Sequence, residues 1–166
     1  MATIIAIPIL AILTIVQSTI VSRLPILQGT ADIVLLVLIA WSLQDRVRSA
    51  WQWSIIGGLF VGFITVLHFS VPLIIYLSMT GLGLIIRQRI WRTPILVMFV
   101  LTFIGSIFSP MVSLIAVIIR GVNIPVFDSI RLVILPSLIL NLLLAAPTYA
   151  VIRDLAEWVH PEEIKI

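Results

Sequence analysis

The sequence predicts an all-α polytopic membrane protein, a single integral domain over residues 1–166 folded as a six-transmembrane-helix bundle with both termini in the cytoplasm. Three observations predict it. Hydrophobic residues make up 61% of the 166-residue chain and charged residues 10%, where soluble globular chains are about one quarter charged. The charges cluster in short connections between uncharged runs, several of them long enough to cross a hydrocarbon core of about 30 Å. With six spans, Arg46, Arg48, Arg87, Arg89, Arg92, Arg153 and Lys165 fall on the side of the termini and Arg23, Arg120 and Arg131 on the other. This seven-to-three asymmetry places the termini inside by the positive-inside rule. The net charge of +3 and pI ≈ 10.2 therefore report orientation in a lipid bilayer and not nucleic-acid binding. There is no cysteine, which excludes disulfides, thiolate metal sites and thiol nucleophiles.

The first span is expected over 3–22. It has no basic leader and no small-residue cleavage site before Arg23, so it reads as a retained helix. Thr14, Gln17, Ser18 and Ser22 form a polar stripe in its second half, suited to bonding neighbouring helices. Pro25 and Gly29 mark a turn. The second span, 31–44, opens near Thr30 or Asp32, where a side-chain oxygen can cap free amide groups. The span is short, so it either tilts little or extends into the interface at Trp41, and Asp45, Arg46 and Arg48 keep the following loop out of hydrocarbon.

From Ala50 to Ile86 nothing is charged if His68 is neutral. One helix of that length would reach about 55 Å, so the run must fold back on itself. The third and fourth spans are placed at 50–68 and 71–86, with His68, Ser70 and Pro72 at the turn. Trp51 and Trp53 are expected at an interface, and Ser54, Gly58 and Gly62 recur every four residues as a packing face that lets another backbone approach. The fourth span carries Ser78 and Gly81 and ends at Arg87, Arg89 and Arg92. The fifth, 93–119, exceeds one perpendicular crossing and predicts tilt or a kink at Pro110. Its Thr102, Ser106, Ser109 and Ser113 form a second inward polar stripe.

The sixth span, 131–152, belongs to the run RLVILPSLILNLLLAAPTYAVIR and has the strongest requirement for neighbours. Pro136 and Pro147 free backbone carbonyls that other helices can satisfy in a membrane. Asn141 near its centre has no water to bond and must face protein, with Ser137, Ala145 and Thr148 on the same face. The tail, 153–166, is expected to be cytoplasmic and to begin with a short interfacial helix bearing Leu155, Trp158 and Val159.

All seven acidic residues fall in loops, in the tail or at span ends on this topology, and none is expected buried mid-membrane as proton relays require. No serine-histidine-aspartate set, HExxH, P-loop or metal-ligand cluster occurs. His68 and His160 lie on opposite sides. No catalytic, cofactor-binding or metal residue is therefore expected, and the candidates are helix-packing positions: Gln17, Ser54, Gly58, Gly62, Ser106, Pro136, Asn141 and Pro147.

Four pieces, IVQSTIVSRLPIL, ADIVLLVLIAWSLQDR, WSIIGGLFVGF and ILPSLILNLLLAAPTYAVIRDL, spread over most of the chain and resemble the MreD family of bacterial rod-shape-determining membrane proteins. The pattern Pro136, Asn141, Pro147 is the most specific part. The chain departs from the family in its third span, where many members place an aspartate after the glycines and this sequence has Val66 and Leu67 before His68. Any role of that aspartate does not carry over. The resemblance implies a non-enzymatic scaffold subunit of the cell-elongation machinery in the bacterial cytoplasmic (inner) membrane, bound to the bitopic protein MreC. Less directly it implies links to an MreB-like filament, a RodA-like glycosyltransferase and a class B penicillin-binding protein in peptidoglycan synthesis. The substrate-binding S-components of energy-coupling-factor vitamin transporters are the alternative. They are also small six-helix proteins, and Ala2 and Ala6 are similar to their first-helix contact motif. Such a protein needs a pocket with converging polar groups, and the loops supply few.

Overall fold

The computed structural model describes residues 2–19, 29–45, 47–89, 93–122 and 125–160. Expectations placed on Ser22, Arg23, Pro25, Arg46, Arg92 and Lys165 lie outside the described residues. Within them the chain is helical, with no strand: α1 (Ala2–Thr19), α2 (Ile33–Ser42), α3 (Ala50–Ile64), α4 (Ser70–Arg87), α5 (Pro94–Ile119), the single turn α6 (Val126–Ser129), a π-turn (Ile130–Ile134) and α7 (Leu135–Val159).

Three helical stretches are long and apolar enough to cross a membrane: Ser70–Arg87, Pro94–Ile119 and Phe127–Val159. The apolar helices Thr3–Thr19, Ile33–Ser42 and Ala50–Ile64 are shorter. Helix length thus supports three spans where the sequence predicts six. The sharpest departure is α2, whose 10 residues rise only about 15 Å, half a hydrocarbon core.

That short helix is the centre of the molecule. It touches α1, α3, α4, α5 and α7, and every residue from Val34 to Ser42 is buried. Its sequence IVLLVLIAWS has no polar face to turn outward, which is the signature of a helix enclosed on all sides. The sequence assigns the organising role to the last apolar run, but α7 keeps an outward face, with Ile139 65% and Leu143 73% exposed. Trp41, which an extended span would carry to an interface, is fully buried and stacks on Trp53 at a centroid distance of 4.0 Å. Trp53 is likewise core, and only Trp51 of that pair is exposed.

Both ends of α2 meet opposite charge. Asp32 is its N-cap and accepts from the Leu35 amide. At the other end the Arg87 guanidinium, from the last turn of α4, donates to the carbonyls of Ser42 (3.3 Å), Gln44 (2.6 Å) and Val47 (3.2 Å). An anion at the N-terminus and a cation at the C-terminus both complement the helix dipole and satisfy groups that a buried helix cannot leave bare.

The outward faces of the longer helices are apolar. Along α5, Phe99, Phe103, Ile107, Met111 and Ile115 are exposed, while Thr102 and Ser106 are buried. Polar residues inside and apolar residues outside is the pattern of a protein solvated by lipid.

The last helix also differs from its expected limits. It begins in a π-turn, in which the Leu135 amide reaches the Ile130 carbonyl five residues back. Pro136 follows directly, and it has no N–H to give back to the π-turn that precedes it. No breaker follows Arg153, and the helix runs on unbroken to Val159. Arg153 pairs with Asp154 and, at 3.9 Å, with Glu157 one turn on. The separate interfacial helix expected after Arg153 is thus a continuation of α7.

Candidate functional site

Polar side chains from five elements converge at the N-terminal end of α2. Asp32 Oδ1 accepts from the Leu35 amide at 3.0 Å, from the Tyr76 hydroxyl of α4 at 3.1 Å and from Gln17 Nε2 of α1 at 3.3 Å. Gln17 Oε1 in turn accepts from the Val34 amide at 3.0 Å. From α7, Asn141 Oδ1 accepts from the Asp32 amide at 2.9 Å, and Asn141 Nδ2 donates to Ser106 Oγ of α5 at 2.9 Å. One turn earlier, Ser137 Oγ accepts from the Thr30 amide at 2.9 Å.

This centre lies inside the helix bundle. Counted at about 1.5 Å per residue, Tyr76 stands roughly 16 Å from Arg87, Ser106 roughly 18 Å from Pro94 and Asn141 roughly 18 Å from Arg153. Arg87, Pro94 and Tyr149 line a common small cavity at the C-terminal end of α2. The centre therefore stands roughly 12–18 Å from that end of the bundle. The sequence places Asp32 at a span end. It is indeed at a helix end, but α2 is so short that its end falls inside the bundle.

A cavity of about 220 Å³ opens beside these groups, lined by Gln17, Thr30, Asp32, Ser106, Ser109, Pro110, Ser113, Ser137 and Asn141, with Ala31, Leu35 and Val133. Pro110 has no N–H to close a bond to the Ser106 carbonyl, so that oxygen is released from the α5 ladder next to the cavity. The inward stripe of α5 is divided by depth. Thr102 and Ser106 are packed in the core, whereas Ser109 and Ser113 are half-buried and face the cavity.

The predicted candidates separate into three places. Gln17, Ser106 and Asn141 meet in the polar centre. Pro136 packs beside it against Gly29: a Cβ on that glycine would stand 2.6 Å from Pro136 Cβ and from the Ser137 amide nitrogen. Ser54, Gly58 and Gly62 lie on the seam between α3 and α4, where the Ser54 and Thr80 hydroxyls bond each other. A Cβ on Gly58 would stand 2.9 Å from Leu73 Cα, and one on Gly62 3.0 Å from Phe69 Cα. Pro147 belongs to neither; with Ile9, Leu13, Val37 and Thr148 it lines an apolar groove of about 460 Å³ between α1, α2 and α7.

Thr148 corrects the face drawn for the last helix. The buried stripe is Ser137, Asn141, Ala145 and Tyr149, because a four-residue step keeps to one side while the three-residue step from Ala145 to Thr148 turns toward the groove. Ser18 of the α1 stripe is exposed and bonds its own helix at the Ile15 carbonyl. Sequence reasoning missed Tyr76 altogether and read Asp32 only as a cap. The available signal was an aspartate opening a run too short to span the bilayer.

Among the described residues no three His, Cys, Asp or Glu side chains converge as metal ligands. His68 is exposed at the α3–α4 turn with Nδ1 2.8 Å from Ser70 Oγ. The centre can hold helices in register and present one carboxylate, several hydroxyls and a released carbonyl to a small cavity. Comparison with family models, with curated proteins and with solved structures finds no match.

Proposed function

We propose that this chain is a non-enzymatic scaffold subunit of the bacterial cell-elongation machinery, MreD-like, crossing the inner membrane six times with both termini cytoplasmic. It binds an MreC-like bitopic protein and through it an MreB-like filament, a RodA-like glycosyltransferase and a class B penicillin-binding protein. The observation that carries the reading is Asn141. Its amide ties the α2 N-terminus to α5 in the middle of the bundle, a device that fixes rotation and register and performs no chemistry. It is also the centre of the Pro136, Asn141, Pro147 pattern on which the family resemblance rests. On this reading Asn141→Leu inserts normally yet fails to complement rod shape and fails to retain the bitopic partner in a pull-down. Full complementation with full partner retention would sink it.

The topology is tested separately. The chain has no cysteine, so single cysteines at Arg89 and Val122 can be labelled from either side without background. Six spans require opposite sides. Labelling from the same side removes the six-span arrangement.

The polar cavity supports a second reading, a substrate-binding S-component-like subunit of an energy-coupling-factor transporter, because such a subunit needs converging polar groups in one pocket. A vitamin-sized molecule that co-purifies with the chain, in place of a bitopic protein, would favour it.

A further inference from the structure

We propose that the cavity beside Asp32 is a binding site for a small protonated amine that also carries hydroxyl or amide groups. The carboxylate is asymmetric. Oδ1 receives three bonds, from Gln17, Leu35 and Tyr76, and no described residue donates to Oδ2. Asp32 belongs to the wall of the 220 Å³ cavity, and none of the described residues in that wall is cationic. A carboxylate in a cavity whose described lining holds no positive neighbour is the acceptor an ammonium group completes. The same lining includes Ser106, Ser109 and Ser113, whose hydroxyls suit a hydroxyl or amide on the same ligand. Size agrees: a 150 Å³ cavity holds benzene, so this volume accommodates about nine non-hydrogen atoms. The inference requires neither functional reading above, and a chain that binds no amine can still retain a bitopic partner, so the two fail separately.

The ammonium can come from a free amine or from an ethanolamine headgroup of the surrounding lipid. Both arms use the full chain, with unfolding followed by intrinsic tryptophan fluorescence. In detergent at constant ionic strength, ethanolamine is compared with ethylene glycol, which replaces the ammonium by a neutral hydroxyl. In nanodiscs, phosphatidylethanolamine is compared with phosphatidylglycerol. A Tm raised by ethanolamine and not by the glycol assigns a free amine; a rise confined to phosphatidylethanolamine discs assigns the headgroup. Asp32→Asn preserves an N-cap acceptor and is expected to need about tenfold more amine for the same shift. Ser109→Leu fills the cavity from α5 without removing a bond of the Asp32 network and should abolish the shift. Equal shifts by amine and glycol, no shift in either arm, or an undiminished effect in both variants would leave a water-filled structural cavity and overturn the assignment.

Discussion

The α3–α4 seam and the Asp32–Asn141 centre are both helix contacts built from small or polar residues, yet they solve opposite problems. At the seam, Gly58 and Gly62 bring backbone to within a Cβ's width of backbone, leaving no room and needing only the Ser54–Thr80 bond as a polar supplement. At the centre the helices stand apart around a cavity, and directional bonds from Gln17, Tyr76 and Asn141 hold them there. The seam is fixed by exclusion of volume, which punishes any added atom. The centre is fixed by hydrogen bonds, each modest in a membrane at about 0.6 kcal/mol on average, and tolerates added volume better than lost polarity.

Substitutions can break or sharpen this contrast. The largest effect is expected from Gly58→Leu and Gly62→Leu, which must push Leu73 or Phe69 backbone away and should destabilise by at least the roughly 1–3 kcal/mol typical of overpacking. Thermal unfolding in detergent measures it, with Phe60→Leu as a mild control; equal losses at all three positions would mean the seam is nothing special. Next comes Asp32→Ala, which removes the cap of α2 and strands the Leu35 amide, the Tyr76 hydroxyl and the Gln17 amide. We predict about 1–3 kcal/mol, and recovery of much of it in Asp32→Asn. No difference between Ala and Asn would show that the cap bond is idle.

Asn141→Leu should cost less, about 0.6–2 kcal/mol, because membrane hydrogen bonds are weak and the unfolded state in lipid also finds partners. Membrane fractionation should still find it inserted. A loss as large as that of Gly58→Leu would erase the distinction between the two regions. The smallest effect is predicted for Ser54→Ala, roughly 0.6 kcal/mol, since the glycines, and not the hydroxyl pair, set the α3–α4 distance. An effect exceeding that of Asn141→Leu would show that the seam too depends on hydrogen bonding.

The seam was legible because its signal is local: three small residues at four-residue spacing within one helix name a face whatever it meets. Asn141 was legible for a similar reason, since an amide inside an apolar run must be turned toward protein. Asp32 was only half legible. Its role as a cap is written in its position before Ile33, but its depth depends on α2 being 10 residues long and enclosed, and a short apolar run has the same composition whether it faces lipid or five other helices. The pairing of Gly29 with Pro136 and of Asn141 with the Asp32 amide joins residues more than one hundred positions apart, which no periodicity encodes.

By itself the sequence determined the helical class, an apolar exterior, the absence of thiol chemistry and the helix faces that carry small or polar groups, because these follow from composition and from the 3.6-residue period. Tertiary structure decided which helix is the centre and which polar groups share a site. Those depend on how helices of unequal length are set side by side. A 10-residue helix packed among longer ones begins partway across the bundle, and that offset carries Asp32 inward to Tyr76, Gln17 and Asn141.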